Sequence, residues 1–155
     1  MRLTILAVGR LSRTTEGASA QAYVERATAT GRALGLGPVD ILEVEGRKPG
    51  RESEGEALLA ALPSPSRLIA CDEGGRAWPS VAFAERIGAL RDAGERRLVF
   101  VIGGADGLSA PVRQAASETI AFGPQTWPHA LVRVLLAEQL YRAAAILAGT
   151  PYHRA

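Results

Sequence analysis

The 155-residue sequence predicts an α/β fold: a mostly parallel sheet with helices on both faces. Three observations predict it. Strand-like apolar runs alternate with helix-like segments along the whole chain. Residues 98–102, Leu-Val-Phe-Val-Ile, are continuously apolar, as a strand buried on both faces must be. The breaks between segments are rich in Gly and Pro. Hydrophobic residues make up 47% of the chain, enough for a real core, and the length suits one domain spanning 1–155.

Each element has its own local reason. Residues 3–8 are apolar and β-branched and read as the first strand. An Ala-rich stretch over 15–34 fits a helix, which Gly35-Leu36-Gly37-Pro38 stops before a second strand over 39–44. Residues 46–56 carry six charges and read as a mobile loop, in which Ser53 and Glu56 are spaced as a capping box for a helix over 57–62. Pro63-Ser64-Pro65 ends that helix, residues 67–72 form a third strand, and Glu73 to Arg76 form a turn. Ser80 is expected to cap a helix reaching Ala93. Residues 98–102 are the fourth strand, and Ser109 with Pro111 starts a short helix ending near Ser117. A last strand over 119–122 leads through the loop 123–128 into the longest helix, 129–147, which is apolar on most sides and so packs centrally.

Composition excludes several classes of function. No run of about 18 apolar residues is free of charge, so no membrane span is expected, and the first residues lack the pattern of a signal peptide. The single Cys71 excludes an internal disulfide and a multi-cysteine metal site, and points to the reducing cytoplasm. The net charge of +2 is too small to make the chain a generic nucleic-acid binder. Every basic residue except Lys48 is arginine, which in so Ala- and Gly-rich a chain reads first as compositional bias. The distribution says more: beyond Asp106 stand four Arg and two His against only Glu118 and Glu138.

Ligands of parallel α/β sheets bind beyond the carboxyl ends of the strands. Three Gly- or Pro-rich loops converge there, at 71–76, 103–109 and 123–128. Gly103-Gly104-Ala105-Asp106-Gly107 lacks the dinucleotide spacing, no Gly-Lys-Ser/Thr of a P-loop occurs, and no Gly-x-Ser-x-Gly elbow is present. On spacing alone, that loop reads equally as a tight strand-to-helix turn. The tail is less ordinary: Pro151 precedes Tyr152, His153 and Arg154, residues able to stack on a base and grip a phosphate, or simply to pack a Tyr on the body. Arg133 and Arg142 are nine residues apart, face different sides of the last helix, and leave one of the pair to a structural or solvated role.

Three motifs carry a resemblance across the whole chain. Ile102-Gly103-Gly104-Ala105-Asp106-Gly107-Leu108-Ser109, the run from Pro128-His129-Ala130-Leu131-Val132-Arg133 through Glu138-Gln139-Leu140-Tyr141-Arg142-Ala143, and Pro151-Tyr152-His153-Arg154 resemble the RlmH (YbeA-type) family. These are bacterial 23S rRNA pseudouridine N3-methyltransferases, minimal members of the SPOUT superfamily. The sequence departs from the family's usual residues at Cys71, Trp127, Ala130 and Ala105-Asp106.

The resemblance implies a SPOUT-type α/β fold with a C-terminal trefoil knot, working as a homodimer. It implies S-adenosyl-L-methionine as cofactor, held against Cys71, Asp72, Gly103, Gly104, Phe122, Gly123, Pro124, Gln125, Thr126 and Trp127. Substrate contacts would fall on His129, Arg133, Arg142, Tyr152, His153 and Arg154, with the tail facing the partner's cofactor. The partner implied is 23S rRNA within the 70S ribosome, with neither metal nor membrane. The reaction implied moves the sulfonium methyl to pseudouridine N3; His153 is favoured as base or positioner, and Arg142 and Arg154 as partners of phosphate or developing imidate charge. Rival readings are a SPOUT methyltransferase acting on tRNA and a non-catalytic ribosome-binding relative.

Overall fold

Five strands, β1 (Arg2–Val8), β2 (Val39–Val44), β3 (Arg67–Ala77), β4 (Arg97–Ile102) and β5 (Glu118–Ala121), form a single sheet in the order β2-β1-β4-β3-β5, with every pairing parallel. The structure is a computed structural model and describes residues 1–153. The helices are α1 (Thr15–Gly31, extended by a 3-10 turn, Arg32–Leu34), α2 (Arg51–Ala60), α3 (Ser80–Asp92), α4 (Ala110–Ala115) and α5 (His129–Leu147).

Alternation along the central strands divides the core in two. Leu3, Ile5 and Ala7 of β1 and Leu98, Phe100 and Ile102 of β4 face α1, α3 and α5, which contribute Val24, Ile87 and Leu140 among others. Leu6, Val8, Val99 and Val101 face the other way, onto Leu58 of α2 and Val112 of α4. Helices therefore cover both faces, and the apolar run of β4 is buried on both sides as its sequence predicts. The apolar surround of α5 is accounted for by its position against both α1 and α3.

Three local expectations are corrected. The charged segment after β2 is no loop from end to end: α2 begins at Arg51, six residues before the predicted start. Glu52 and Glu54 suit the first turn of a helix, and Gly55 sits inside it because a Cβ there would lie 2.1 Å from Ser109 Oγ. Ser53 is consequently no cap; its Oγ accepts from the Lys48 N–H at 3.1 Å. Glu73 to Arg76 is likewise not a turn but the continuation of β3, whose register on β5 shifts between Cys71 and Arg76. Gly75 permits this by lying against the Ile120 backbone, which a Cβ would approach to 2.6 Å. Ser80 is the first helical residue and not the cap, and its Oγ donates to Gln139 Oε1 at 2.8 Å, tying α3 to α5.

One buried charge fixes α5 on the sheet. Arg133 is only 1% exposed. Its guanidinium donates to the Val8 and Gly9 carbonyls, both at 3.0 Å, and to Glu43 Oε1 at 2.5 Å. Glu43 Oε1 also accepts the Leu11 N–H at 2.9 Å. Burial pulls the Arg133 pKa below its ordinary value while Glu43 pulls it up. With no surface left for a substrate, Arg133 is the structural member of the arginine pair. Replacing it by Met strands a carboxylate and two carbonyls, so Arg133→Met is expected to cost about 3–5 kcal/mol in denaturant unfolding. A loss below about 1 kcal/mol would contradict this role.

A second ionic group joins β3, β5 and α3. Glu118 accepts from Arg67 at 3.3 Å and from Arg86, while Arg67 also reaches Glu95 at 3.2 Å. The Arg86 hydrogen bond, ahead of opposing burial and of Arg86 and Arg67 charge, holds the Glu118 carboxyl below its usual range. A depressed carboxylate contributes stability above its unfolded pKa of about 4.3 and loses it as pH falls through the folded value. Glu118→Gln should therefore lower stability at pH 7 and make the acid limb of a stability–pH curve shallower. Parallel curves for the two proteins would refute the assignment.

Candidate functional site

The carboxyl ends of β4 and β5, together with the middle of β3 where its pairing with β4 ends, open into one cavity of about 790 Å³, within the roughly 300–1,000 Å³ usual for small-ligand pockets. Cys71, Asp72, Gly103, Gly104, Phe122, Gly123, Gln125, Thr126 and Trp127 line it. Pro124 belongs to the same loop but is not part of the lining. Positions expected from the sequence to lie on three loops and to share a ligand are thus brought together, with Cys71 and Asp72 standing on β3 and the others on two loops.

Each loop has a physical reason for its shape. At the end of β4 the chain turns back on itself: the Gly107 N–H donates to the Gly104 carbonyl at 3.1 Å, and a Cβ on Gly103 would come within 2.6 Å of the Gly107 backbone. Gly107 takes φ +76°, which other residues rarely adopt. Bare backbone therefore faces the cavity. The loop after β5 is closed by the Trp127 indole N–H donating to the Phe122 carbonyl at 3.1 Å, and Thr126 Oγ1 donates to Glu73 Oε2 at 3.3 Å. Asp72 accepts from the Gly74 N–H at 3.0 Å and from Arg113 at 3.2 Å. Burial first, then the Asp72 charge, pushes the Cys71 thiol far up, so it stays protonated and unreactive at neutral pH.

The polar candidates divide into two groups. His129, the first residue of α5, lines the cavity. Arg142 lies thirteen residues further along the helix, about 20 Å away at 1.5 Å per residue. There the tail folds back onto α5. Tyr152 Oη donates to Glu138 Oε1 at 3.0 Å, Arg142 Nε donates to the same oxygen at 2.9 Å, and the guanidinium lies 4.9 Å from the Tyr152 ring centre. The Tyr152 ring is 4.4 Å from that of Tyr141. Burial, then the bond to Glu138, pushes the Tyr152 phenol up to about 12, so it is neutral at physiological pH. His153 Nδ1 is buried without a hydrogen-bond partner among the described residues. Arg154 lies outside the described residues.

Sequence reading missed the acids that organise both groups. Glu138 binds Arg142 and Tyr152 and also accepts from Gln139 at 2.7 Å. Its i,i+4 spacing to Arg142 was a legible signal. Glu43, which neutralises Arg133, sits 90 positions away in sequence and gave none. Arg51 and Arg113, which also line the cavity, come from segments read as a loop and a short helix. Among the described residues, no group of three or more His, Cys, Asp and Glu is arranged to hold a metal ion.

Comparison with known proteins agrees with this geometry. The family model described as "Predicted SPOUT methyltransferase" matches residues 1–153. The chain is 63% identical over 154 residues to the Ribosomal RNA large subunit methyltransferase H of Phenylobacterium zucineum, with 99% of each chain covered. It is 60% identical to the protein of that name from Caulobacter vibrioides, again with 99% of each covered, and 53% identical to that of Hyphomonas neptunium over the full length of both. A full-length match to the family model, on a parallel sheet whose glycine-rich loops meet in one cavity, places the chain in the SPOUT methyltransferase family.

Proposed function

We propose that the protein is an S-adenosyl-L-methionine-dependent methyltransferase acting on N3 of a pseudouridine in 23S rRNA of the assembled ribosome. The observation that carries the cofactor part is the cavity walled by bare backbone at Gly103, Gly104 and Gly123. Its volume and mixed polar and apolar lining suit an adenosine with an amino-acid tail. The named relatives, ribosomal RNA large subunit methyltransferases at up to 63% identity, support the substrate class. That substrate in turn places the protein in the cytoplasm; no helix among the described residues is long and apolar enough to cross a membrane.

The cofactor, when bound, supplies an electrophilic sulfonium methyl group. The protein's task is then to hold the nucleophile in line and to manage the N3 proton. Backbone groups at 71–72 of β3 and in the loops at 103–104 and 122–127 would hold the adenosine and methionine parts, and His129 lines the same cavity. His153 takes or positions the N3 proton. Arg142 and Arg154 balance phosphate or imidate charge, and the neutral Tyr152 stacks. In one chain His129 and Arg142 are about 20 Å apart along α5. The reading therefore includes a homodimer in which the tail of one protomer completes the cavity of the other. It also includes one domain over 1–155 and a C-terminal trefoil knot, in keeping with membership of the SPOUT family.

Calorimetric titration with S-adenosylmethionine, with the mass in solution recorded, should find a dimer that binds the cofactor. Methyl transfer to 70S ribosomes should follow. His153→Ala should keep cofactor affinity and lose about 10²–10⁴-fold in turnover. Wild-type turnover in that variant at every pH would remove His153 from the mechanism. Methylation of tRNA but not of ribosomes would replace the substrate assignment.

A further inference from the structure

The amino edge of the sheet, at the opposite end from the cavity, has no part in the reading above. Three neighbouring strands open there on arginine: β1 on Arg2, β4 on Arg97 and β3 on Arg67. Arg2 and Arg97 are partners in the β1–β4 register, so their side chains leave the same face of the sheet. That is the face of Leu6, Val8, Val99 and Val101, covered by α2 and α4, whereas α5 packs on the other. Neighbouring strands lie about 4.8 Å apart, and like charges at paired positions repel. An anion placed between them would relieve that repulsion.

The acids of this edge answer only part of its charge. Arg67 is engaged by Glu95 and Glu118, and Arg2 has Asp40 at 3.9 Å. Arg96, which is exposed, and Arg97, which is partly buried, engage no acid among the described residues. Both line a recess of about 570 Å³, together with Ser66, Arg67, Glu95 and Ser117. Two unanswered guanidiniums over a polar recess are the complement of phosphate oxygens, onto which a guanidinium forks. With a net charge of only +2, the chain can hold RNA where its charge is concentrated and not by its whole surface.

Distance separates this edge from the methyl-transfer site. Arg97 stands five residues before Ile102, which lines the cofactor cavity, and that is about 17 Å along β4. Phosphates at the amino edge therefore belong to nucleotides other than the one being methylated. We propose that Arg96 and Arg97, with Arg2 beside them, form a second RNA-contact surface that takes backbone phosphates of ribosomal RNA away from the target nucleotide. This rests on the ribosomal substrate proposed above, and it makes a distant stretch of RNA part of what the protein recognises.

The test is direct binding of 70S ribosomes over a range of salt concentrations, by wild type, the double variant Arg96→Gln/Arg97→Gln and the control Arg32→Gln, which removes an exposed charge next to α1. The double variant should lose about tenfold or more in ribosome affinity, and its slope of log Kd against log salt should fall by about 2. Its affinity for S-adenosylmethionine and its turnover at saturating ribosomes should stay within about twofold of wild type, and Arg32→Gln should bind ribosomes as wild type does. An unchanged affinity and slope in the double variant would overturn the proposal. An equal loss in Arg32→Gln would overturn it too, in favour of general attraction. If inorganic phosphate raises the melting temperature of wild type alone while ribosome affinity is the same in both, the edge is a small-anion site and no RNA surface. Should the double variant fail a thermal unfolding check, the exposed Arg96→Gln alone decides, with a fall in slope of about 1. A wild-type protein that binds no ribosomes would instead refute the substrate assignment, and with it this surface.

Discussion

The buried guanidinium of Arg133 is the constraint from which the site's geometry follows. It joins the end of β1, through the Val8 and Gly9 carbonyls, to β2 through Glu43, and it does so from the second turn of α5. Because α5 is pinned at that height, His129 must emerge beside the carboxyl edge of the sheet, and the loop arriving from β5 must close within the few residues before Pro128. A hydrophobic contact could hold the helix against the sheet. It could not select one height along the strands, since apolar packing is largely non-directional. Charged hydrogen bonds to two carbonyls and a carboxylate supply that direction.

The far end of α5 follows from the same placement. Glu138 gathers Arg142, Tyr152 and Gln139, and Gln139 in turn meets Ser80 at the start of α3. A run of polar side chains therefore links the tail to the segment after β3, which carries Trp78 against Arg76, 3.8 Å from the ring centre. The tail is packed on the body by stacking and by one phenolic hydrogen bond, both of modest strength.

Much of the fold was legible because burial leaves a plain pattern. The apolar run ending at Ile102 and the Ala-rich α1 are where their composition places them. The glycine loop and the loop after β5 were visible as backbone that tolerates no side chain. The failures share one cause. Gly55, Gly75 and Ser80 each took their conformation from a partner distant in sequence: Gly55 from Ser109, Gly75 from Ile120 and Ser80 from Gln139, while Ser53 followed the early start of α2. Local capping and turn chemistry was outweighed by tertiary contacts that a single sequence does not display. The site residues followed the same division. Loop backbone was readable from Gly and Pro, whereas the acid Glu43 acquires meaning only once the sheet brings Arg133 beside it.

In the proposed dimer, cofactor loops and tail act together across two copies of the chain. Subunit complementation tests this most directly. Gly103→Ala, whose Cβ would strike the Gly107 backbone, spoils the cavity; His153→Ala spoils the tail. Each variant alone should be inactive. Unfolded together and refolded at equal amounts, half of the dimers are mixed and each mixed dimer carries one intact site, so about a quarter of wild-type methylation should return. Mixed dimers that form and remain inactive would contradict a site shared between subunits.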